Sequence, residues 1–165
     1  MSKERTNPVA VVSILREFGY CEDALIKAAF LHDVVEDTKI TLPDILQIFG
    51  EEVELIVSEV TKKDDWYEGA TRKIKKEHER LAIYTASRNG QLLKLADSIH
   101  NTVSLLKDYE TTSYADRSLA ATKTLQMHYM ILYFTEKEKL YKAMTKIDNE
   151  EPMLIYAKTI IEGLL

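Results

Sequence analysis

The chain has 165 residues, 45% of them hydrophobic and 30% charged, with a formal net charge of -5. That composition suits one globular domain with a sizeable core, and the negative sign argues against a protein that coats nucleic acid. A single cysteine, Cys21, excludes an intramolecular disulfide framework, residues 1–6 lack the apolar stretch of a secretion signal, and no apolar run reaches the ~18 residues of a membrane span, so the cytoplasm is the expected location.

Nearly every segment carries a helical period, interrupted by only five glycines and three prolines. Val9, Val12, Ile14, Leu15 and Phe18 predict a helix over 8–18 that stops at Gly19. A second helix is predicted over 22–34, with Glu22 and Asp23 favourably placed at its positive end. Thr41-Leu42-Pro43-Asp44 reads as an N-cap, a first-turn proline and an acidic residue, opening a short helix that stops at Phe49-Gly50. Val53, Ile56, Val57 and Val60 then form an amphipathic stripe.

Beyond Lys62-Lys63-Asp64-Asp65 the period lapses until a charged helix over 70–87, and Asn89-Gly90 reads as a turn. Leu92, Leu93, Leu95, Ala96, Ile99, Val103 and Leu106 define a largely buried helix, and further helices are expected over 113–135, 136–147 and 152–164. There is no strand alternation, internal repeat or low-complexity stretch. The expected fold is all-α, a bundle of about seven or more helices in one domain over 1–165.

The most informative run is Phe30-Leu31-His32-Asp33-Val34-Val35-Glu36-Asp37-Thr38. An unpaired carboxylate in an apolar segment costs on the order of several kcal/mol or loses its charge, so His32-Asp33 calls for a neutralising partner, and a divalent cation suits. Helical spacing places His32 with Glu36 and Asp33 with Asp37, an array that could hold a metal and supply a base. Asp97, in Lys94-Leu95-Ala96-Asp97-Ser98-Ile99-His100-Asn101, meets the same desolvation argument in a second helix. A mixed nitrogen and oxygen set of this kind suits Mn²⁺, Mg²⁺, Zn²⁺ or Fe²⁺. These residues point to a metal-dependent hydrolase. The basic cluster Arg72-Lys73-Ile74-Lys75-Lys76 reads first as a solvated helix face, with attraction of an anionic nucleotide as the alternative.

Leu31-His32-Asp33-Val34-Val35-Glu36-Asp37-Thr38, Glu59-Val60-Thr61-Lys62 and Leu95-Ala96-Asp97-Ser98-Ile99-His100-Asn101 together resemble the HD-domain phosphohydrolases. Within them the pattern is similar to the (p)ppGpp hydrolase branch, namely the hydrolase domain of RelA/SpoT enzymes and the small alarmone hydrolases. The match runs from about residue 7 to residue 106. The resemblance implies His32, Asp33 and Asp97 as metal ligands, Mn²⁺ as the ion, and Glu36 and Asp37 as the acidic pair that orients or activates water. It implies Asn101 and Ser104 near the nucleotide, and hydrolysis of the 3′-pyrophosphate of (p)ppGpp to give GDP or GTP plus pyrophosphate. The implied partner is a small phosphorylated nucleotide, without nucleic acid or membrane; a protein partner or a second copy is compatible.

Two departures stand out. Asn7 occupies the position of the family's first histidine ligand, and an amide oxygen is a neutral and weaker donor than imidazole. Only six residues precede Asn7, so the family's preceding basic helix is expected to be missing. A phosphohydrolase for another nucleotide such as NADPH, and a catalytically inactive HD-fold binder of nucleotide or protein, are the competing readings.

Overall fold

Short-range chemistry sets most of the helix ends. The computed structural model describes residues 7–62, 69–115 and 120–163, with side chains outside 110–126. The readings of residues 1–6, of 63–68 and of the final helix beyond 163 lie outside the described residues. Among the described residues there are nine α-helices and no strand.

Asn7 caps α1 (Pro8–Glu17), its Oδ1 accepting from Val9 N at 3.1 Å, with Pro8 in the first turn. The helix closes where Gly19 adopts φ 88°, so that Gly19 N reaches Arg16 O at 3.0 Å and Tyr20 N reaches Leu15 O at 2.9 Å. A residue with a Cβ would be strained there, which is why the period stops at glycine. Thr41 caps α4 (Leu42–Phe49) in a reciprocal box with Asp44, Thr41 N donating to Asp44 Oδ2 at 2.8 Å. In α5 (Glu51–Val60) the predicted stripe buries Val53, Ile56 and Val57.

The predicted helix over 22–34 is two pieces. α2 (Asp23–Leu31) ends before His32, and α3 (Val34–Asp37) follows after a turn. The cause is local: His32 Nδ1 lies 2.7 Å from Ala29 O, the carbonyl that a continuing helix would offer to the backbone N–H of Asp33. The imidazole satisfies that acceptor and the chain turns.

The remaining helices are α6 (Arg72–Thr85), α7 (Arg88–Ala115), α8 (Ala120–Ala143) and α9 (Pro152–Glu162). α7 is the axis of the packing and touches α1, α2, α5, α6, α8 and α9. Leu92, Leu93, Leu95, Ala96 and Ile99 are all buried, so the helix is apolar on nearly every side over these turns. Two predicted boundaries differ. The breaks near 113 and 136 are absent: Ser113 lies inside α7, and α8 runs through Glu136 because Phe134, Lys137, Leu140 and Tyr141 continue one buried face.

Asn89-Gly90 is not a turn but the first turn of α7. Ser87 precedes it, with its N and Oγ donating to Glu59 of α5 at 2.7 and 2.6 Å. Gly90 is there because a Cβ would overlap the Glu59 carboxylate. Glycine-to-alanine inside a helix ordinarily stabilises by roughly 0.5–1 kcal/mol. Gly90→Ala is expected to reverse that sign and cost about 1–2 kcal/mol in urea unfolding. A stabilised Gly90→Ala protein would show that Glu59 does not hold this position.

Candidate functional site

The break between α2 and α3 places His32 and Asp33 at the mouth of a cleft of about 470 Å³, walled by α3, α5, α6, α7 and α8. His32 is buried, and its Nδ1 contact with Ala29 O makes Nδ1 the proton-bearing nitrogen. The other ring nitrogen is left as an acceptor. Nε2 lies 3.3 Å from Asp33 Oδ2 and 3.9 Å from Asp97 Oδ1, and it has no hydrogen-bond partner. A buried lone pair facing two carboxylates is stable only if positive charge sits between them. Burial alone lowers the pKa of His32, but the contact and charge of Asp33, then the charge of Asp97, outweigh it and raise the value. The pocket therefore favours positive charge at Nε2, which a proton held toward Asp33 or a divalent ion would supply.

Asp97 enters from the middle of α7. Asn101, one turn later, donates Nδ2 to Asp97 Oδ1 at 2.8 Å, and Lys94, one turn earlier, lies 3.3 Å from Asp97 Oδ2. Lys94 Nζ also pairs with Glu79 Oε1 of α6 at 3.0 Å, and Lys76 Nζ takes Glu79 Oε2 at 2.6 Å. Burial would raise the carboxyl of Asp97 and lower the amine of Lys94, but the charges facing them reverse both shifts. Glu79 likewise lies well below the usual carboxylate range, since Lys94 and Lys76 outweigh its burial. Lys137 of α8, also buried, is pushed down to about 8 by desolvation and by the neighbouring Lys94 ammonium.

Glu36 stands on the same wall, its Oε1 accepting from Lys62 N and its Oε2 from Lys62 Nζ, both at 2.9 Å. Thus His32, Asp33, Glu36, Asp97 and Asn101 line one cleft. Asp37, Ser104 and Asn7 are outside its lining. Asn7 spends Oδ1 on the α1 cap, and its backbone N–H points to His100 Nε2 at 3.5 Å.

His32 Nε2 and the oxygens of Asp33 and Asp97 fit a hard or borderline divalent cation in donor chemistry. Among the described residues, no three His, Cys, Asp or Glu side chains already stand as a metal cluster. Lys94 shares Asp97 Oδ2, which supplies part of the positive charge that an ion would bring. No helix among the described residues is long and apolar enough to cross a membrane.

Sequence reasoning missed half of the wall. Glu79, Lys94, Lys137, Tyr129 and Tyr133 all line the cleft, as does Lys76, the one member of the Arg72–Lys76 cluster found there, whose alternative reading is attraction of an anionic nucleotide. Lys94 had a signal, a lysine inside Leu92-Leu93-Lys94-Leu95-Ala96 that needs a partner as much as Asp97 does. Glu79 and Lys137 had none, being two charges among many in charge-rich helices.

Lys94→Met should leave Glu79 and Asp97 facing each other without their shared cation, costing about 3–5 kcal/mol in denaturant unfolding at neutral pH. The sign with pH follows from Glu79, whose carboxyl is depressed in the folded state. The pair contributes fully above the ordinary value of 4.5 and is lost as pH falls below it. The gap between wild type and Lys94→Met should therefore narrow in acid; a gap independent of pH would show that Glu79 is not the partner.

A probable guanosine-3′,5′-bis(diphosphate) 3′-pyrophosphohydrolase of Synechocystis sp. is 39% identical over 97 residues, covering 58% of this chain and 13% of the relative. The guanosine-3′,5′-bis(diphosphate) 3′-pyrophosphohydrolase MESH1 of Xenopus tropicalis is 36% identical over 96 residues, covering 58% of this chain and 51% of the relative. The chain therefore spans between 13% and 51% of the length of these two curated relatives. In overall fold it is similar to lmo0812 from Listeria monocytogenes EGD-e, with TM-score 0.68, 24% identity, and 99% and 96% of the two chains covered. It is also similar to a metazoan ortholog of SpoT that hydrolyzes ppGpp, with TM-score 0.70, 24% identity, and 96% and 80% covered. The HD domain family matches across residues 4–128, a span that holds every candidate residue from Asn7 to Ser104. The cleft residues of α2 to α7 and this match across three quarters of the sequence lead to one conclusion: the chain belongs to the HD domain family.

Proposed function

We propose that the chain is a metal-dependent phosphohydrolase that removes pyrophosphate from the ribose 3′ position of (p)ppGpp, leaving GDP or GTP. The observation that carries the reading is the partnerless Nε2 of His32 between Asp33 and Asp97, at one end of a cleft that also holds Lys62, Lys76, Lys94 and Lys137. A cation-seeking end beside an ammonium-rich wall is what a phosphorylated substrate and a divalent ion require together. The names of the relatives supply the substrate.

In this reading His32, Asp33 and Asp97 hold the ion, with Mn²⁺ favoured over Mg²⁺, Zn²⁺ or Fe²⁺. Bound there, it would stabilise charge on the phosphoryl oxygens and acidify water. Glu36 takes the proton of the attacking water; both its oxygens keep a free lone pair while Lys62 fixes the carboxylate in place. Asp37 supports Glu36 from the exposed end of α3. Asn101 steadies Asp97 and, with Ser104, contacts the nucleotide. Residues 1–165 act as one domain in the cytoplasm on a small nucleotide, without nucleic acid or membrane. The inactive-binder reading has one observation in its favour: Asn7 Oδ1 is already bonded to Val9 N.

Purified, Mn²⁺-loaded protein should release pyrophosphate from ppGpp, and Asp33→Ala should not. Glu36→Gln should retain metal but lose roughly 10²–10⁴-fold in kcat. Release from another 3′-phosphorylated nucleotide and none from ppGpp would overturn the substrate. Metal content should vanish in His32→Ala and Asp97→Ala, as read by elemental analysis after dialysis. Asn7→His should tighten Mn²⁺ in the same assay; unchanged affinity would assign Asn7 to capping alone.

A further inference from the structure

The placement of Lys137 is left unexplained by the site chemistry above. It is 7% exposed, deep on α8, yet among the described residues no carboxylate lies within 4 Å of its Nζ, whereas Lys62, Lys76 and Lys94 each have one. The carboxylates that weigh most in its charge balance, Asp97 and Glu79, are committed elsewhere. Glu79 is shared by Lys94 and Lys76, and Asp97 by Lys94 and Asn101. Lys137 Nζ instead stands over the ring of Tyr133, with the centroid 5.1 Å away. A buried ammonium over an aromatic face recovers only part of the desolvation of an unpaired charge.

Of the ammonium groups Lys76, Lys94 and Lys137, only that of Lys137 has no carboxylate within ion-pair distance among the described residues, although Asp33, Glu36, Glu79, Asp97 and Asp108 all line the same cleft. Lys137 also lines an adjoining groove of about 420 Å³, in which Arg72 is paired with Glu136, Arg80 with Glu77 and Lys76 with Glu79, so the nearby cations already have carboxylates. An anion that bridges the cavities would meet Lys137.

We propose that Lys137 is an anion-binding residue of the cleft, a cation supplied by α8 to hold a phosphate group of the substrate. The assignment rests on the phosphohydrolase reading for the identity of that substrate, but not for the binding of the anion itself. It also gives the C-terminal third of the chain a share in the site.

The probe is inorganic pyrophosphate, titrated calorimetrically into metal-free protein, so that no loaded ion is needed. Lys137→Gln should weaken its binding roughly tenfold or more, Lys137→Arg should restore most of it, and Lys142→Gln on the exposed side of α8 should change nothing. A structural role would lower Tm without moving pyrophosphate affinity, and a folded Lys137→Gln with wild-type affinity overturns the proposal. So does a wild-type protein that fails to bind pyrophosphate. Should Lys137→Gln not fold, the wild type decides: pyrophosphate should protect Lys137 from acetic anhydride, and equal acetylation with and without it is the refuting outcome. Failure of ppGpp hydrolysis alongside affinity lost in Lys137→Gln removes the hydrolase reading alone. Hydrolysis with Lys137→Gln unchanged in both KM and pyrophosphate affinity removes the Lys137 assignment alone.

Discussion

Lys94 Nζ lies 3.0 Å from Glu79 and 3.3 Å from Asp97, inside the helix around which the other helices pack. This ammonium ties α6 to α7 and keeps Asp97 ionised where burial would otherwise neutralise it. Take it away and Asp97 and Glu79 lose the cation they share, while Asp33 and Asp97 still face the His32 imidazole. Lys137 and His32 also favour the charged form of Asp97, but Lys94 is the largest of the three. The same ammonium is part of the surroundings of Lys137, which has no carboxylate within ion-pair distance among the described residues.

A second constraint comes from one imidazole used at both ends. Its Nδ1 ends α2 by occupying the Ala29 carbonyl, and the same contact leaves Nε2 as a lone pair toward Asp33 and Asp97. Backbone geometry and site chemistry are therefore a single event. A continuous helix would carry Asp33 around the next turn, whereas the break turns it back toward the ring. Glu36 then follows on the short α3 and reaches Lys62 just beyond the end of α5, so two helix ends meet over the cleft.

Away from the cleft, polar groups on the buried side of α7 are paired within the scaffold. Gln91 donates to Ile83 O at 2.9 Å and accepts from Lys146 N at 2.8 Å, and Ser98 meets Tyr141 Oη at 3.0 Å. These bonds hold α7 against α6, α8 and the segment before α9. Charged groups gather instead at the cleft wall, the separation expected of a stable scaffold carrying a reactive site.

The all-α class, the caps at Asn7 and Thr41, the buried stripe of α5 and the central α7 follow from residue period and turn chemistry, which act over a few positions. His32, Asp33, Glu36 and Asp97 were also legible, because charge in an apolar run is anomalous wherever it occurs. What only the tertiary structure decided is which charges meet. Glu79, Lys76 and Lys137 belong to helices in which charges recur every few residues, and nothing local marks the ones that turn inward. The helix break at His32 goes with a local contact, Nδ1 to Ala29 O three residues back, that residue period does not reveal. Gly90 reads locally as a turn but lies in the first turn of α7, where Glu59, thirty-one positions away, fills the space of its missing side chain. Short-range sequence determines the elements; long-range electrostatics and sterics, which sequence period does not encode, select the site.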